Sequence, residues 1–260
     1  MYADAHAHLH DQRLRTTNRP GTVRSRAGAA GLDLVCAASV SPSDWMDLVR
    51  FLEAGTGEPC ESGLVILPSF GLHPAFDTGE YDALRDGIPS NGPRPRAIGE
   101  IGLDQTVDTP MEWQCERLEM MLALASSRNL PVILHARGPW DRLFCVLDRY
   151  PGVHGIMHAF GGAPEIAREC IRRGYLLSAG PRLLDSGAKK MRASFAEIPL
   201  PSIVLESDAP DMCPIDETPP NEPSVIVRVA ETLAKIRGES AEKIAVETRR
   251  NLLRLFDTMA

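Results

Sequence analysis

The sequence has 260 residues, 43% of them hydrophobic, and it carries 28 basic and 35 acidic side chains for a formal net charge of −7. A chain of this length and apolar content supports one large α/β domain, and we expect residues 1–260 to form a single domain. The acidic balance disfavours a protein that grips duplex nucleic acid over its whole surface, because such proteins are usually more basic.

Three features predict a cytoplasmic protein. No apolar run approaches the roughly 18 residues needed to cross a membrane. The six cysteines include no C-x-x-C pair, so we interpret them as reduced, mostly buried thiols. A pair of histidines, His6 and His8, begins at residue 6, which leaves no room for a leader peptide before it. Nothing in the sequence indicates an obligate protein partner.

Apolar runs of strand length alternate with helical patterns along the chain. The predicted strands are Tyr2–His6, Leu32–Ala38, Leu64–Leu72, Arg96–Leu103, Pro131–His135, Gly155–His158, Tyr175–Ser178 and Ser202–Ser207. A first helix, capped by Ser41, is predicted to run to about Ala54 and to stop at Gly55. The later predicted helices are Glu112–Arg128, Trp140–Tyr150, Pro164–Arg173, Leu183–Ala196, Glu222–Arg237 and Ser240–Phe256. Residues 77–95 are rich in Gly, Pro and Asp and are predicted as loop that could hold one short helix.

About eight strands separated by helices, in a chain of this length, predict a TIM-like (β/α)8 barrel. A doubly wound parallel sheet is the alternative. The chain has no G-x-G-x-x-G after its first strand, which disfavours that alternative.

Polar groups follow the predicted strands at the ends that would form the active face of a barrel. The alternation in Asp4-Ala5-His6-Ala7-His8 places Asp4, His6 and His8 on one face of the first strand. Taken alone, such a pair is more often found as histidines packed or solvated on an ordinary strand than as metal ligands. The later strand ends add His73, Glu100, His135, His158, Ser178 and Asp208.

Four imidazoles and two carboxylates of this set are enough for two divalent metal ions with one carboxylate between them. These six residues are His6, His8, Glu100, His135, His158 and Asp208. Zinc suits the imidazoles best, whereas manganese or magnesium would depend on the carboxylates. The chain has only four lysines, all in or beside helical stretches, so Glu100 is a better candidate for the bridge than a carboxylated lysine.

The chain resembles the TatD family of metal-dependent hydrolases, often described as deoxyribonucleases. Ordered motifs over nearly the whole chain carry the resemblance: DAHAHL at the start, GLHP at 71–74, AIGEIGLD at 97–104, LPVILHAR at 130–137, MHAFGG at 157–162, LESDAP at 205–210 and NEPSVIVRVAE at 221–231. The resemblance implies a TIM-like barrel with a two-metal site and, by position, the same six ligands.

A mechanism follows as a hypothesis. Glu100 would be shared by two metal ions, which would lower the pKa of a water molecule, and Asp208 would be the general base that accepts its proton. His73 and Arg137 are candidate donors to substrate oxygens, with a pairing of Arg137 and Glu206 as the alternative for Arg137. Asp4 and Asp104 are candidates for fixing the tautomer of an imidazole, or else ordinary cap or turn residues.

The chain departs from the family pattern beside the site. His10 stands where an Asp is usual, Gln105 replaces a Tyr, and the stretch before Asn221 reads DETPP where Arg and Lys are common. The last change removes positive charge. Five arginines after His8 could restore it, or they could face water in a loop and helix. They are Arg13, Arg15, Arg19, Arg24 and Arg26.

The leading functional prediction is a metal-dependent phosphodiesterase, a deoxyribonuclease acting on DNA or a nucleotide-like phosphodiester. Hydrolysis of an amide, lactone or ester is the first alternative, because the same metal geometry serves acyl chemistry. A non-catalytic accessory subunit that keeps the fold is the second. Stacking aromatics beside arginines would favour nucleic acid, and Trp140 follows Arg137 closely.

Overall fold

Eight short apolar runs form the parallel strands on which the rest of the chain packs. The structure is a computed structural model that describes residues 1–15, 21–54, 63–76 and 92–257. Its strands are β1 (Tyr2–Ala7), β2 (Leu32–Ser39), β3 (Val65–Phe70), β4 (Ala97–Asp104), β5 (Val132–Arg137), β6 (Gly155–Met157), β7 (Tyr175–Ala179) and β8 (Ile203–Leu205). They pair in chain order in one sheet, and every pairing is parallel.

Helices of the described residues connect the strands and cover the sheet. They are α1 (Gln12–Arg15), α2 (Val23–Ala29), α3 (Pro42–Ala54), α4 (Met111–Arg128), α5 (Trp140–Leu147), α6 (Pro164–Arg172), α7 (Lys189–Glu197), α8 (Ile226–Arg237) and α9 (Ala241–Asp257). Ser41 caps α3 as predicted, because its Oγ accepts a hydrogen bond from the Asp44 N–H at 3.3 Å. The predicted stop at Gly55 and the predicted loop at 77–91 lie outside the described residues.

The sheet nearly closes into a barrel through contacts between its first and last strands. The Asp208 N–H donates to the His6 carbonyl at 3.0 Å, and the His8 N–H donates to the Ala209 carbonyl at 2.7 Å. The Asp4 carboxylate adds a second link, since it accepts the Ser207 N–H at 2.9 Å and the Ser207 hydroxyl at 2.5 Å. The prediction of a TIM-like (β/α)8 barrel is confirmed.

Apolar residues two positions before the polar strand ends form a layer beneath them. Ile133, Ile156 and Val204 are buried and belong to one hydrophobic cluster. Because side chains two residues apart share a face of a strand, Ile133 lies below His135 and Val204 lies below Glu206. This floor keeps water away from the lower side of the polar layer.

The predicted helix Leu183–Ala196 is wrong in its first half. The structure has a 3₁₀ turn at Pro181–Leu184 and begins α7 only at Lys189. The Asp185 carboxylate accepts the Gly187 N–H at 2.7 Å, so a local turn replaces the helical hydrogen bonds at this point. The break keeps residues 180–188 as a loop at the carboxyl end of β7.

The helices and the cysteines were also the subject of predictions. None of the helices in the described part of the chain combines the length and the apolar character needed to span a membrane. None of the five cysteines that the structure describes forms a disulfide, and only Cys36 and Cys170 are buried. The expectation of mostly buried thiols is therefore wrong.

Candidate metal centre

His6 and His8 project their Nε2 atoms toward each other at the end of β1. The two atoms are 3.3 Å apart. The Nδ1 of His8 lies 2.9 Å from the Ala38 carbonyl, which can only accept, so Nδ1 carries the proton and Nε2 presents a lone pair. This tautomer makes His8 Nε2 available to a cation.

Glu100 lies between two groups of imidazoles, with one carboxylate oxygen facing each group. Its Oε2 is 3.3 Å from His6 Nε2 and 3.7 Å from His8 Nε2. Its Oε1 is 3.0 Å from His135 Nδ1 and 3.4 Å from His73 Nε2. The side chain is buried, so solvent does not separate these atoms. The arrangement resembles that of a carboxylate placed between two cations.

His158 and Asp208 complete the set. His158 Nε2 lies 3.8 Å from Asp208 Oδ1 and 3.8 Å from Glu100 Oε1, while Asp208 Oδ1 lies 3.5 Å from His6 Nε2. The other ring nitrogen of His158 donates to Glu206 Oε2 at 2.9 Å. When the ring is neutral, Nε2 of His158 therefore also presents a lone pair.

Glu206 is a functional residue that sequence reasoning missed. Besides holding His158, its second oxygen accepts the Ala159 N–H at 2.8 Å, and its side chain is fully buried. A signal was present in the sequence, because Glu206 precedes Asp208 by two residues and follows an apolar strand. Its expected alternative partner, Arg137, is exposed and makes no ion pair with any residue that the structure describes.

His135 is held from the side opposite Glu100. Its Nε2 lies 3.0 Å from Asp104 Oδ2, and the other oxygen of Asp104 is fixed by the N–H and hydroxyl of Thr106 at 2.7 and 2.6 Å. Asp104 thus occupies the place expected for a residue that orients an imidazole.

The approach of β4 to His135 depends on Gly102. A Cβ at this position would lie 1.9 Å from the His135 carbonyl oxygen, and the residue has a φ of +148°. We expect Gly102→Ala to lower the free energy of unfolding by more than about 3 kcal/mol, from backbone strain and the clash together. Urea denaturation measures this. Gly152→Ala is the matched control, because a Cβ there meets nothing within 4 Å. Equal stability of the two variants would contradict the close approach.

Asp4 does not contact an imidazole ring. Its carboxylate accepts the His6 backbone N–H at 3.1 Å and both donors of Ser207. The expectation that Asp4 fixes a tautomer is therefore wrong. It stabilises the junction of β1 and β8, and so acts on His6 through the backbone.

The donor set fits a divalent cation. His8 and His158 present lone pairs, Glu100 and Asp208 present carboxylate oxygens, and none of these atoms supplies a proton to the others in that state. Their separations of 3.3–3.8 Å are long for hydrogen bonds. Ligands 2.0–2.2 Å from a zinc ion at tetrahedral angles are about 3.3–3.6 Å apart. Three groups of three side chains have ligand atoms within 4.8 Å of one another: His6, His8 and Glu100; His6, His158 and Asp208; and His73, Glu100 and His135.

The pKa shifts within the cluster also indicate that its carboxylates stabilise a positive charge there. Burial lowers the pKa of His6 and of His73 to about 4, so both are neutral near pH 7. Burial raises the pKa of Glu100, but the surrounding imidazoles outweigh it and hold that pKa well below its ordinary value. Burial lowers the pKa of His158, but the three nearby carboxylates outweigh it and raise it to about 10. A cation here would take the place of that proton.

Known proteins of one family match nearly the whole chain. The family model for TatD-related DNases matches residues 3–257. The chain belongs to the TatD-related DNase family. It is 33% identical over 262 residues to the uncharacterized metal-dependent hydrolase YabD of Bacillus subtilis, covering 98% of this chain and 99% of that protein. It is 30% identical over 203 residues to the 3'-5' ssDNA/RNA exonuclease TatD of Salmonella typhimurium, covering 73% and 77% of the two chains.

A solved structure of the TatD family has the same fold. The crystal structure of the TatD homologue YjjV from Escherichia coli K12 superposes with a TM-score of 0.82 at 28% identity. The superposition covers 98% of this chain and 98% of that chain.

A cavity of about 290 Å³ opens above the centre of this TatD-family barrel. His73 and the candidate ligands His8, Glu100, His135, His158 and Asp208 line it, together with His10, Arg13, Phe76 and Met212. His10 is held in the wall by a hydrogen bond of 2.8 Å between its Nε2 and Asp44 Oδ1. Arg137 is not among the described residues that line the cavity.

Arg13 lies at the mouth of this cavity but is paired. Its guanidinium binds Asp211 through two hydrogen bonds of 2.7 and 3.0 Å, and Asp11 at 2.7 Å. Arg13 therefore brings little net positive charge to the site, contrary to one expectation for the arginine segment. Arg19 of that segment lies outside the described residues.

The remaining arginines of the segment serve packing rather than the cavity. Arg24 lies 4.4 Å from the centroid of the Phe51 ring, and Arg15 lies 5.8 Å from it. Arg26 forms a two-point ion pair with Glu222 at 3.0 and 2.9 Å, with both side chains largely buried. The alternative that the arginines of this segment face water is therefore wrong for Arg24, which donates to the Phe51 carbonyl at 2.7 Å, and for Arg26, which ties α2 to the loop after β8.

Ser178 is also away from the cavity. Its hydroxyl is buried and donates to the Met157 carbonyl at 3.1 Å, within the wall formed by β6 and β7. Its position at a strand end reflects strand pairing and not a contact with substrate.

Proposed function

We propose that this chain is a divalent-metal-dependent phosphodiesterase, a deoxyribonuclease in its main activity, with residues 1–260 working as one cytoplasmic barrel domain. The observation that carries the proposal is the position of Glu100. One of its oxygens faces His6 and His8, and the other faces His135. A carboxylate placed in this way serves a two-metal hydrolytic site, where it lies between the ions.

Six residues would hold the two ions: His6, His8, Glu100, His135, His158 and Asp208. The imidazole majority favours zinc, while the two carboxylates would also serve manganese or magnesium. When bound, the ions would lower the pKa of a water molecule and polarise an oxygen of the phosphoryl group whose phosphorus is attacked. Glu206 and Asp104 keep His158 and His135 in the required orientation.

Asp208 is the proposed general base. Its Oδ1 faces His6 and His158 at 3.5 and 3.8 Å, and it lines the cavity where substrate would enter. A carboxylate that reaches both the ligand cluster and the open cavity can accept the proton of an attacking water molecule.

His73 is proposed as a donor to a substrate oxygen. The Ala75 N–H donates to His73 Nδ1 at 3.1 Å, so a neutral ring carries its proton on Nε2. That N–H lies on the cavity side, 3.4 Å from Glu100 Oε1. The tautomer favours hydrogen bonding over metal ligation for His73. Arg137, exposed at the end of β5, stays a proposed phosphate contact on chemistry alone.

Nucleic acid as the substrate is supported by the name of the Salmonella typhimurium relative, a 3'-5' exonuclease of single-stranded DNA and RNA. The rim of the cavity adds an aromatic surface. Phe76 lines the cavity with 45% of its surface exposed, as a base-stacking residue would be. Trp140 does not serve this purpose, because it packs against Phe144 and Phe160.

The test is turnover by the metal-loaded protein on single-stranded DNA, on bis(p-nitrophenyl) phosphate and on a panel of lactones and esters. We expect hydrolysis of both phosphodiesters, its loss in EDTA and its return when zinc or manganese is added back. Hydrolysis of acyl substrates alone would overturn the phosphodiesterase proposal in favour of acyl chemistry. No turnover on any substrate would favour an accessory role.

A further inference from the structure

A second cavity lies beside the metal centre on the same face of the barrel. It has a volume of about 520 Å³ and is bordered by Arg182 and Ile215, from the loops that follow β7 and β8, and by Arg228 of α8. Met212 lines both this cavity and the one above the metal centre. The two cavities are therefore adjacent, with Met212 as a common wall, and a ligand longer than the first cavity would pass over Met212 to enter the second.

Arg182 brings an unpaired positive charge to this second cavity. Its side chain is exposed and makes no ion pair or side-chain hydrogen bond with any residue in the described ranges. Its Nη1 lies 3.6 Å from the place where a Cβ on Gly161 would be. Gly161 follows His158 by three residues, so the guanidinium lies against the loop that carries a candidate metal ligand.

The other two arginines that line these cavities, among the described residues, are already neutralised. Arg13 is bound by Asp11 and Asp211. Arg228 is bound by Asp216 at 2.7 Å and by Glu217. Among the described arginines that line the two cavities, Arg182 is thus the one that can accept an anionic group without first giving up a carboxylate.

An apolar surface lies next to this charge. Ile215 is fully exposed at the border of the second cavity, and Met212 lies between the two cavities. A guanidinium beside flexible apolar side chains suits a nucleotide, whose phosphate pairs with arginine and whose base covers apolar surface.

We propose that the second cavity binds the nucleotide adjacent to the scissile phosphodiester, with Arg182 pairing to its phosphate and Met212 and Ile215 contacting its base or sugar. This inference rests on the proposed phosphodiesterase function and sharpens its substrate. An oligonucleotide reaches Arg182, whereas a small diester with a single phosphate fills only the metal cavity. The chain is therefore built for oligonucleotides rather than for isolated diesters.

The experiment compares Arg182→Gln with the wild type on a single-stranded DNA of about ten nucleotides and on bis(p-nitrophenyl) phosphate. Arg128→Gln is the matched control, because Arg128 is exposed at the carboxyl end of α4, on the opposite face of the barrel. We expect Arg182→Gln to lower kcat/KM for the DNA about tenfold, as for the loss of one charge-assisted hydrogen bond. Turnover of the small diester should stay within about twofold.

Two further measurements separate a phosphate contact from a structural effect. The slope of log kcat/KM for DNA against log salt should become shallower by about 0.7 in Arg182→Gln, as expected for one lost phosphate contact on a single strand. Arg182→Lys should recover most of the activity on DNA, because it keeps the charge.

Failure of the nucleotide site and failure of the phosphodiesterase proposal give different results. If the wild type cleaves both substrates and Arg182→Gln lowers neither, or lowers both equally with an unchanged salt slope, the second cavity is not a nucleotide site and the phosphodiesterase proposal stands. If the wild type cleaves neither substrate, the phosphodiesterase proposal fails, and the subsite fails with it.

Discussion

Replacing Glu100 with Gln is expected to reduce the metal content from two ions to at most one per chain and to lower hydrolysis by at least about a thousandfold. The substitution keeps the shape of the side chain but removes the negative charge that faces His6 and His8 on one side and His135 on the other. Metal content is measured by elemental analysis after gel filtration, and hydrolysis with the phosphodiester that the wild type cleaves best.

The control for this change is Glu112→Gln on α4. Glu112 is exposed and pairs with Arg142 on the surface, so its loss should leave both quantities unchanged. A Glu100→Gln protein that keeps two ions and full activity would show that the carboxylate does not lie between two metals.

Asp208→Asn should separate catalysis from metal binding. Asn keeps an oxygen that can face His6 and His158, so we expect the metal content to change little. It cannot accept a proton from water, so kcat should fall by about 10²–10⁴. Steady-state kinetics and elemental analysis on the same preparation measure the two effects, with Asp141→Asn on α5 as the exposed control.

A parallel loss of metal and activity in Asp208→Asn would make Asp208 a ligand only, and the general base would have to be sought elsewhere. An unchanged kcat would exclude Asp208 as the base outright. Glu100 and Asp208 lie in the same cluster, but we expect loss of the first carboxylate to lower metal content and loss of the second to lower kcat.

The clustering of the six residues could be predicted because it depends on the position of each residue relative to its own strand. Each follows or ends an apolar run, and the carboxyl ends of parallel strands in a barrel meet on one face. His135 and His158 end neighbouring strands, so their approach follows from strand order alone. The fold class followed from the same alternation of strands and helices.

Residues that act through a partner elsewhere in the chain could not be assigned in the same way. Glu206 binds the ring of His158, 48 positions away, and Asp4 binds Ser207, 203 positions away. Such pairings depend on how β8 lies against β6 and β1, which periodicity does not give. The helix predicted from Leu183 failed for a local reason, since the turn at Asp185 competes with helical hydrogen bonds.

Which arginines on the active face carry an unpaired charge could not be predicted from the sequence either. Arginines are visible as residues, but whether they are neutralised is a matter of contacts. Arg13 is held by two aspartates, one of them 198 positions away, whereas Arg182 is left unpaired among the described residues. The sequence therefore indicated the arginine segment after His8 as a source of positive charge, whereas the structure indicates Arg182 in the loop after β7.

Anomalous diffraction at the absorption edge of the bound metal can show whether the Glu100 carboxylate lies between two ions. In crystals grown with zinc or manganese, we predict two anomalous peaks, one on each side of the Glu100 carboxylate. One peak should be near His6 and His8, and the other near His135. No peak in the cluster, or a single ion that contacts only one oxygen of Glu100, would contradict the account.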